Sequence, residues 1–390
     1  MRHCYLPLLT ALLLSSCAVP NGNDSAAPTV VYGGNELITY VGRTDRSVVA
    51  APRQWAAGAY FTFAFEGDGC SVDIVDENLG GYSYNYLEIA VDTLPTLRVR
   101  TRGIPNILNI GKAQIVTEDT TVNVISVLDS LPAGRHTVLI ARDTEPAMGY
   151  TQVSMVAAPN LQKWAPETNL RMEFIGNSIT SGMDCYLDEI PTGGQWFDRT
   201  RAYYAYGPVT ARMLGAQWAL SSISGIGLMH SCCEHTNVMP ELYDKIDLVH
   251  NRLPYHFDYK PDILVSALGQ NDGVQDSATF VNAYVTFLKT IVDRNPSVRL
   301  ILISSPMADA TLREYFRTVL PAVAAEMERY RDEAHPEVTD APEFLWHIYE
   351  KSYNDGGTTH PSMAQQTEIA QELVQFIRDN KEALKLKQLN

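Results

Sequence analysis

The sequence EFIGNSIT, at residues 173–180, places a serine directly after a hydrophobic run. LRMEFIG predicts a β-strand, and Gly176 and Asn177 predict a turn after it. In a parallel α/β sheet, such a serine lies at the carboxyl end of its strand, which is where these sheets bind ligands. Ser178 is therefore a candidate nucleophile. It is equally a candidate N-cap of the following helix, since serine is a favoured cap.

Strands and helices alternate from this point onwards. Further predicted strands are AQWALSSISG, PDILVSALGQND, VRLILISSP and EFLWHIYE, and predicted helices lie at residues 202–215, 278–295, 312–333 and 362–389, the last with Ser362 as its N-cap. This alternation predicts a flavodoxin-like parallel sheet with helices on both faces. We therefore expect a three-layer α/β/α domain at residues 166–390.

Residues 32–158 follow a different pattern. Short strands such as AYFTFAFEG, CSVDIVD, YNYLEIAVD and GRHTVLIARD are ended by turn residues, with no helical stretch between them. This pattern predicts an all-β domain of the β-sandwich or jelly-roll type. A chain of 390 residues also suits two domains.

The first residues predict export. An apolar run at residues 6–14 follows two polar residues and is too short for a membrane span of about 20 residues. LLSSC, ending at Cys17, resembles a bacterial lipoprotein signal at residues 1–17, which implies lipidation of Cys17. A simple secretory signal is the alternative. We expect a periplasmic or cell-surface protein anchored to the outer membrane, with residues 18–31 as a flexible tether.

Composition limits the partners and cofactors. The formal net charge of −15 and the lack of a basic run argue against nucleic-acid binding and favour neutral or cationic partners. The spacing of cysteines and histidines matches no zinc site, so we expect neither a metal nor an organic cofactor.

Four residues that suit acyl transfer follow predicted strands: Ser178, Gly225, Asn271 and His360. Each alone has an ordinary explanation as turn or cap chemistry. Together they form a machinery in which Ser178 attacks and His360 takes its proton and returns it to the leaving alcohol. The N–H groups of Ser178 and Gly225 and the side-chain amide of Asn271 would bind the oxyanion. The sequence thus predicts a serine esterase.

These blocks resemble the SGNH (GDSL-like) hydrolases. The resemblance rests on FIGNSIT, on the glycine after the second strand, on GQND and on the late His-Pro pair, and it spans nearly all of residues 170–390. YVGRTDR and GRHTVLIARDTE in the N-terminal half look like carbohydrate esterase family 2, in which a jelly roll precedes an SGNH domain. That resemblance implies removal of O-acetyl groups from polysaccharides of the xylan and glucomannan type.

Two residues depart from the superfamily pattern. Asn177 stands where the superfamily usually has aspartate, and its side chain is not the nucleophile. A second aspartate usually lies three residues before the histidine, where this chain has Gly357. Asp355 lies two residues further back and is a candidate third member of a triad. The family 2 resemblance implies instead a Ser178–His360 dyad in which a backbone carbonyl holds the imidazole, and we expect that arrangement.

Two cysteines each lie seven residues after a candidate catalytic residue, Cys185 after Ser178 and Cys232 after Gly225. In an oxidising compartment we expect Cys185 to pair with Cys232 or Cys233, which would link two loops of the site. A bond between the adjacent Cys232 and Cys233, or free buried thiols, are the alternatives.

Three aromatic residues are candidates for stacking on sugar rings: Trp196, Trp346 and Tyr353. Trp196 lies in the glycine-rich segment PTGGQWFD and is the best surface candidate. Trp346 lies within a predicted strand, so we expect it in the core rather than at a site.

The leading hypothesis is a secreted serine esterase that removes O-acetyl groups from polysaccharides. A second keeps the same machinery but acts on another acyl ester or an acetylated cell-wall glycan, because a fold alone does not fix the substrate. A third is a catalytically inactive surface carbohydrate-binding protein. The missing aspartate supports the third, whereas the joint presence of Ser178, Asn271 and His360 disfavours it.

Overall fold

The computed structural model describes residues 28–81, 83–101, 113–117, 122–127, 131–168, 170–188, 194–249 and 253–386. The predicted signal peptide, with Cys17, and residues 18–27 of the predicted tether lie outside the described residues. The prediction of a tether up to residue 31 is wrong at its end, because a strand paired with the sandwich begins at Thr29. Within the described ranges, no helix is both long enough and apolar enough to cross a membrane.

The N-terminal domain is a β-sandwich of the jelly-roll type, as predicted. Its strands are β1 (Thr29–Tyr32), β2 (Thr39–Val41), β3 (Arg53–Gln54), β4 (Tyr60–Gly67), β5 (Cys70–Asp76), β6 (Tyr86–Val91), β7 (Leu97–Arg100), β8 (Ala113–Thr117), β9 (Val122–Val127), β10 (Gly134–Arg142) and β11 (Thr151–Ala158). One antiparallel sheet has the order β1-β11-β5-β9-β8, with β3 paired to β11, and the other has the order β2-β4-β10-β6-β7. Buried residues alternate with half-buried ones along β5, because one face of that strand covers the core.

The C-terminal domain is a three-layer α/β/α unit, as predicted. Its strands are β12 (Arg171–Gly176), β13 (Gln217–Ser222), β14 (Ile263–Ser266), β15 (Arg299–Ile303) and β16 (Leu345–His347), and its helices are α1 (Ser178–Ser181), α2 (Tyr206–Met213), α3 (Met239–Leu242), α4 (Ser277–Val292), α5 (Ala310–Ala334) and α6 (Met363–Asp379). The strands are parallel and have the order β13-β12-β14-β15-β16. Residues that follow β12, β13 and β14 therefore meet at one edge of the sheet.

Two helices are much shorter than predicted. α6 begins after Ser362, whose hydroxyl accepts a backbone N–H as expected of an N-cap, but it ends at Asp379, before the predicted end. The chain turns there, and Leu384 packs fully buried in the core. Within residues 202–215, a 3-10 turn and the extended backbone of Ala205 precede α2 and delay its start.

The two domains share a hydrophobic core cluster, and each domain also has a cluster of its own. Tyr60 of β4 packs on Trp218 of β13, with the ring centroids 4.2 Å apart. The indole N–H of Trp218 donates to the carbonyl of Gly58 at 2.9 Å. Both aromatic side chains are buried, and removing apolar surface from water contributes about 25 cal/mol per Å² to stability. The sandwich is therefore packed firmly against the sheet of the second domain.

Arg43, from the YVGRTDR segment, crosses the boundary between the domains. Its guanidinium donates to the carbonyls of Tyr243 at 2.8 Å and Lys245 at 2.9 Å. It also lies 3.8 Å from the carboxylate of Glu173 in β12, and the two charged side chains are only 1% and 5% exposed. Buried charges are stable only when they are paired and hydrogen-bonded, so this cluster fixes where the sandwich sits on the sheet.

We expect Arg43→Met to destabilise the fold, because it leaves the carboxylate of Glu173 buried without its cation. Removing one partner of a buried ion pair costs about 3–5 kcal/mol. Urea unfolding of the full chain measures the loss. Arg46→Met is the matched control, because Arg46 is exposed. Equal unfolding free energies for the two variants would contradict this account of the interface.

Candidate active site

Ser178 is the first residue of α1 and lies two residues after the end of β12. Asn177, not Ser178, is the N-cap of this helix, because its side-chain oxygen accepts the N–H of Ile179 at 3.2 Å. The turn is tight: a Cβ at Gly176 would lie 2.1 Å from Oγ1 of Thr180. The cap role considered for Ser178 is therefore taken by its neighbour, and the serine hydroxyl has a different partner.

That partner is His360. Its Nε2 accepts a hydrogen bond from Oγ of Ser178 at 2.8 Å. His360 follows the 3-10 turn Gly357–Thr359 and lies just before α6. In this arrangement the imidazole can take the hydroxyl proton as the oxygen attacks. Folding thus brings the nucleophile and the base that the sequence suggested into direct contact.

A carboxylate stands behind His360, and it belongs to Asp184. Oδ2 of Asp184 lies 3.9 Å from Nδ1 of His360 and accepts a hydrogen bond from the hydroxyl of Thr358. That hydroxyl oxygen and the carbonyl oxygen of Thr358 lie 3.2 and 3.3 Å from Nδ1. Nε of Arg199 lies 2.7 Å from Oδ1 of Asp184. Because Nε2 accepts from Ser178, the neutral ring carries its proton on Nδ1, which faces Thr358.

Gly357 makes room for Asp184. A Cβ at position 357 would lie 3.1 Å from Cγ of Asp184. The carboxylate therefore fills space beside the position where SGNH hydrolases usually carry their aspartate. Asp355, the candidate third member of a triad, is engaged elsewhere, since its carboxylate accepts the N–H of Ser362 at 3.2 Å.

The electrostatics of the pair suit a general base. Burial lowers the pKa of His360 below its ordinary value of 6.5, and the negative charge of Asp184 opposes this shift. The imidazole is therefore neutral at pH 7 and able to accept a proton. The charge of Asp184 would stabilise the imidazolium that forms when it does.

Gly225 and Asn271 flank the serine turn. Gly225 follows β13 and Asn271 follows β14, the two parallel neighbours of β12. The side-chain amide of Asn271 donates to the carbonyl of Ile226 at 2.7 Å, which joins the two loops and leaves its second hydrogen for another acceptor. Gly225 has a φ of +82°, a conformation that favours glycine. The topology thus assigns both residues to the edge of the sheet that carries Ser178.

Asp272 fixes the loop that follows Gly225. Its buried carboxylate accepts the backbone N–H groups of Leu228, Met229 and His230 at 2.9, 2.6 and 2.9 Å. Hydrogen bonds to an ionised acceptor are about twice as strong as neutral ones.

In the part of the chain that the structure describes, no three His, Cys, Asp or Glu side chains are grouped so as to hold a metal ion.

Family comparisons identify both domains. Residues 174–367 match the GDSL-like Lipase/Acylhydrolase family, and residues 40–114 match the Carbohydrate esterase 2 N-terminal domain. The chain is a carboxylic ester hydrolase with a GDSL-like domain. The matches confirm the family resemblance drawn from the FIGNSIT, GQND and YVGRTDR segments.

Similar proteins align with most of this hydrolase. An acetylxylan esterase / glucomannan deacetylase of Cellvibrio japonicus (strain Ueda107) is 24% identical over 336 residues, or 80% of this chain and 83% of the relative. The structure of a family two carbohydrate esterase from Cellvibrio japonicus has a TM-score of 0.74 at 18% identity, covering 92% of this chain and 99% of that one. A family two carbohydrate esterase from Clostridium thermocellum in complex with cellohexaose has a TM-score of 0.71 at 22% identity, covering 89% and 99%. These similarities confirm the two-domain fold.

The predicted disulfide between Cys185 and either Cys232 or Cys233 is wrong. Cys232 and Cys233 are bonded to each other, and Cys185 is a buried free thiol. The N–H of Cys232 donates to the carbonyl of Gly225 at 2.8 Å, whereas Sγ of Cys185 packs 3.7 Å from the carbonyl of Arg201, in a different loop. Burial raises the pKa of Cys185 to about 12, so this thiol stays protonated and unreactive.

The aromatic candidates fare differently. Tyr353 is wrong as a stacking residue, because it is 2% exposed and its hydroxyl donates to Glu372 at 2.9 Å. Trp346 is 42% exposed and not in the core, but it lies in β16, three strands from β12. Trp196 is 36% exposed and begins the 3-10 turn that carries Arg199, the cation paired with Asp184. Trp196 is therefore the candidate that the structure places beside the catalytic network.

We expect Asp184→Asn to lower kcat by about 10- to 100-fold, because it removes the charge that stabilises the imidazolium. Neutral His360 is the active form, so kcat/KM of the wild type falls only below pH 6.5, since burial lowers the pKa of His360. The same substitution removes a charge that raises this pKa and should move the acid limb to still lower pH. A pH series with 4-nitrophenyl acetate measures both effects.

Asp355→Asn is the matched control, because the carboxylate of Asp355 contacts Ser362 and not the imidazole. We expect its kcat and its acid limb to match those of the wild type. A large loss in Asp355→Asn with none in Asp184→Asn would assign the orienting role to Asp355 instead of Asp184.

Proposed function

We propose that this hydrolase removes O-acetyl groups from polysaccharides of the xylan or glucomannan type through a Ser178–His360 dyad. The observation that carries the proposal is the 2.8 Å hydrogen bond from Oγ of Ser178 to Nε2 of His360, at the mouth of a GDSL-like sheet. The carbohydrate esterase 2 match of the N-terminal domain and the acetylxylan esterase / glucomannan deacetylase relative support the polysaccharide as substrate.

The reaction proceeds in two acyl transfers. Oγ of Ser178 attacks the acetyl carbonyl carbon while its proton passes to Nε2 of His360, and the carbonyl oxygen becomes an oxyanion. The N–H groups of Ser178 and Gly225 and the second amide hydrogen of Asn271 bind that oxyanion. The intermediate collapses, the sugar oxygen leaves with the proton from His360, and the acetyl group remains on Ser178.

Water completes the cycle. His360 takes a proton from a water molecule, whose oxygen attacks the acetyl carbon on Ser178. The second tetrahedral intermediate releases acetate and returns the proton to Oγ of Ser178. The Thr358 carbonyl and hydroxyl keep Nδ1–H in place throughout, and the charge of Asp184 behind them balances the imidazolium.

We propose further that the enzyme works outside the cytoplasm, held to the outer membrane by a lipid on Cys17. The proposal rests on the short apolar run and the LLSSC sequence that ends at Cys17. A polymeric substrate suits such a position, because long glycans are met at the cell surface. Membrane extraction and mass spectrometry of the mature N-terminus test the anchor.

We expect the purified full chain to release acetate from acetylated xylan or acetylated glucomannan and to hydrolyse 4-nitrophenyl acetate. Ser178→Ala should lower both rates by at least about 1,000-fold, because the residual rate then comes from binding and the oxyanion donors alone. Enzymatic quantification of acetate measures the polysaccharide reaction.

The outcomes separate the competing functions. Ser178-dependent turnover of the small ester without acetate release from either polysaccharide would assign the enzyme to another acyl ester. Absence of turnover on every ester, together with binding of the glycans, would identify a carbohydrate-binding protein and overturn the proposal.

We expect Trp196→Ala to raise KM for acetylated polysaccharide by about 3- to 10-fold, because it removes a partly exposed aromatic face on which a sugar ring can stack. KM for 4-nitrophenyl acetate should change less, since its leaving group is a single ring and much shorter than a polysaccharide. Trp346→Ala is the control, because Trp346 is a similarly exposed tryptophan in β16. Equal effects of the two substitutions on the polysaccharide would refute a specific role for Trp196.

A further inference from the structure

The loop between β10 and β11 of the sandwich reaches the active-site edge of the other domain. This loop contains the end of the GRHTVLIARDTE segment. The side chain of Arg142 folds back and donates to the backbone carbonyls of Thr144 at 3.1 Å and Glu145 at 2.7 Å. The buried side chain of Arg142 therefore stabilises the conformation of the loop. The side chain of Glu145 is left to point across the domain boundary.

Both oxygens of the Glu145 carboxylate bind Ser224, the residue before Gly225. Oε2 accepts the backbone N–H of Ser224 at 2.7 Å, and Oε1 accepts its hydroxyl. Glu145 is only 1% exposed. Burial raises its pKa to about 7, so an ionised carboxylate is costly there and the two hydrogen bonds from Ser224 offset that cost.

The peptide between Ser224 and Gly225 is fixed on its other side as well. Nε2 of His235 donates to the carbonyl of Ser224 at 2.8 Å. The carbonyl and the N–H of a trans peptide point in opposite directions. Holding the Ser224 carbonyl toward His235 therefore aims the Gly225 N–H the opposite way, and Glu145 prevents Ser224 from rotating out of that position.

We propose that Glu145 is a positioning residue of the sandwich domain that sets the direction of the Gly225 N–H toward the oxyanion. The inference rests on the proposed function, in which Gly225 is an oxyanion donor. It makes the N-terminal domain a structural part of the active site, in addition to any contact that this domain makes with substrate. Glu145 itself touches neither the nucleophile nor the base.

Glu145→Gln tests the inference, because an amide keeps the size of the side chain but retains only one acceptor oxygen for the two donors of Ser224. Loss of a whole oxyanion donor costs about 10²–10³ in rate, and we expect its misalignment to lower kcat on 4-nitrophenyl acetate by about 10- to 100-fold. KM should change by less than about 3-fold, because ground-state binding does not use the oxyanion site. The inhibition constant of phenylboronic acid, which forms a tetrahedral adduct on serine, should rise in parallel with the fall in kcat.

Glu88→Gln is the matched control. Glu88 is equally buried in the sandwich and equally engaged across the boundary, with its oxygens 2.8 and 3.0 Å from the guanidinium of Arg201. The substitution Glu88→Gln makes the same chemical change at the same interface, at a side chain that does not contact Ser224. We expect a lower melting temperature for both variants and a loss of kcat and boronate affinity in Glu145→Gln alone.

Ser224→Ala provides a second route, since it removes the hydroxyl donor while leaving Glu145 in place. We expect Ser224→Ala to lower kcat several-fold at unchanged KM. In the double variant with Glu145→Gln, kcat should fall by less than the product of the two single-variant losses, because the two residues act through one contact. Wild-type kcat and boronate affinity in both single variants of an active enzyme would overturn the inference alone. A wild type without Ser178-dependent turnover would overturn the proposed function and this inference with it.

Discussion

The parallel pairing of β12 with β13 and β14 is the constraint on which the site depends. It brings the serine turn, the loop of Gly225 and the loop of Asn271 to one edge of the sheet. His360 reaches the same edge from the segment before α6 and meets Oγ of Ser178 at 2.8 Å. Catalytic residues that are far apart in the chain therefore lie close together, because every strand of the sheet ends on the same side.

The fold and the reacting pair were predictable because their signals are local. A hydrophobic strand that ends in Gly-Asn-Ser, and a histidine just before a helix, are visible in a few residues. Asp184 was missed because its partners, Thr358 and Arg199, are brought to it only by loop packing. Gly357 held a clue, since its lack of a side chain is what admits a carboxylate from elsewhere. The disulfide prediction failed because equal spacing along two loops says nothing of the distance between their sulfurs.

The contacts between the domains were hidden for a related reason. YVGRTDR and GRHTVLIARDTE looked like markers of a family, and nothing in either segment names a partner in the other domain. The roles of Arg43 and Glu145 depend on their contacts with Glu173 and Ser224, which are distant in sequence. Charged residues at strand ends and turns are common, so composition alone cannot separate those that dock on another domain from those that face water.

The shared core bears on how such an enzyme can change during evolution. Tyr60 and Trp218 belong to different domains but pack in one hydrophobic cluster. A chain cut at the boundary would expose both aromatic surfaces and leave the charged groups buried there without their partners. The sandwich is thus unlike a tethered sugar-binding module that can be lost or exchanged between enzymes. New specificities would have to arise by altering loops at the rim, while the two halves are inherited together.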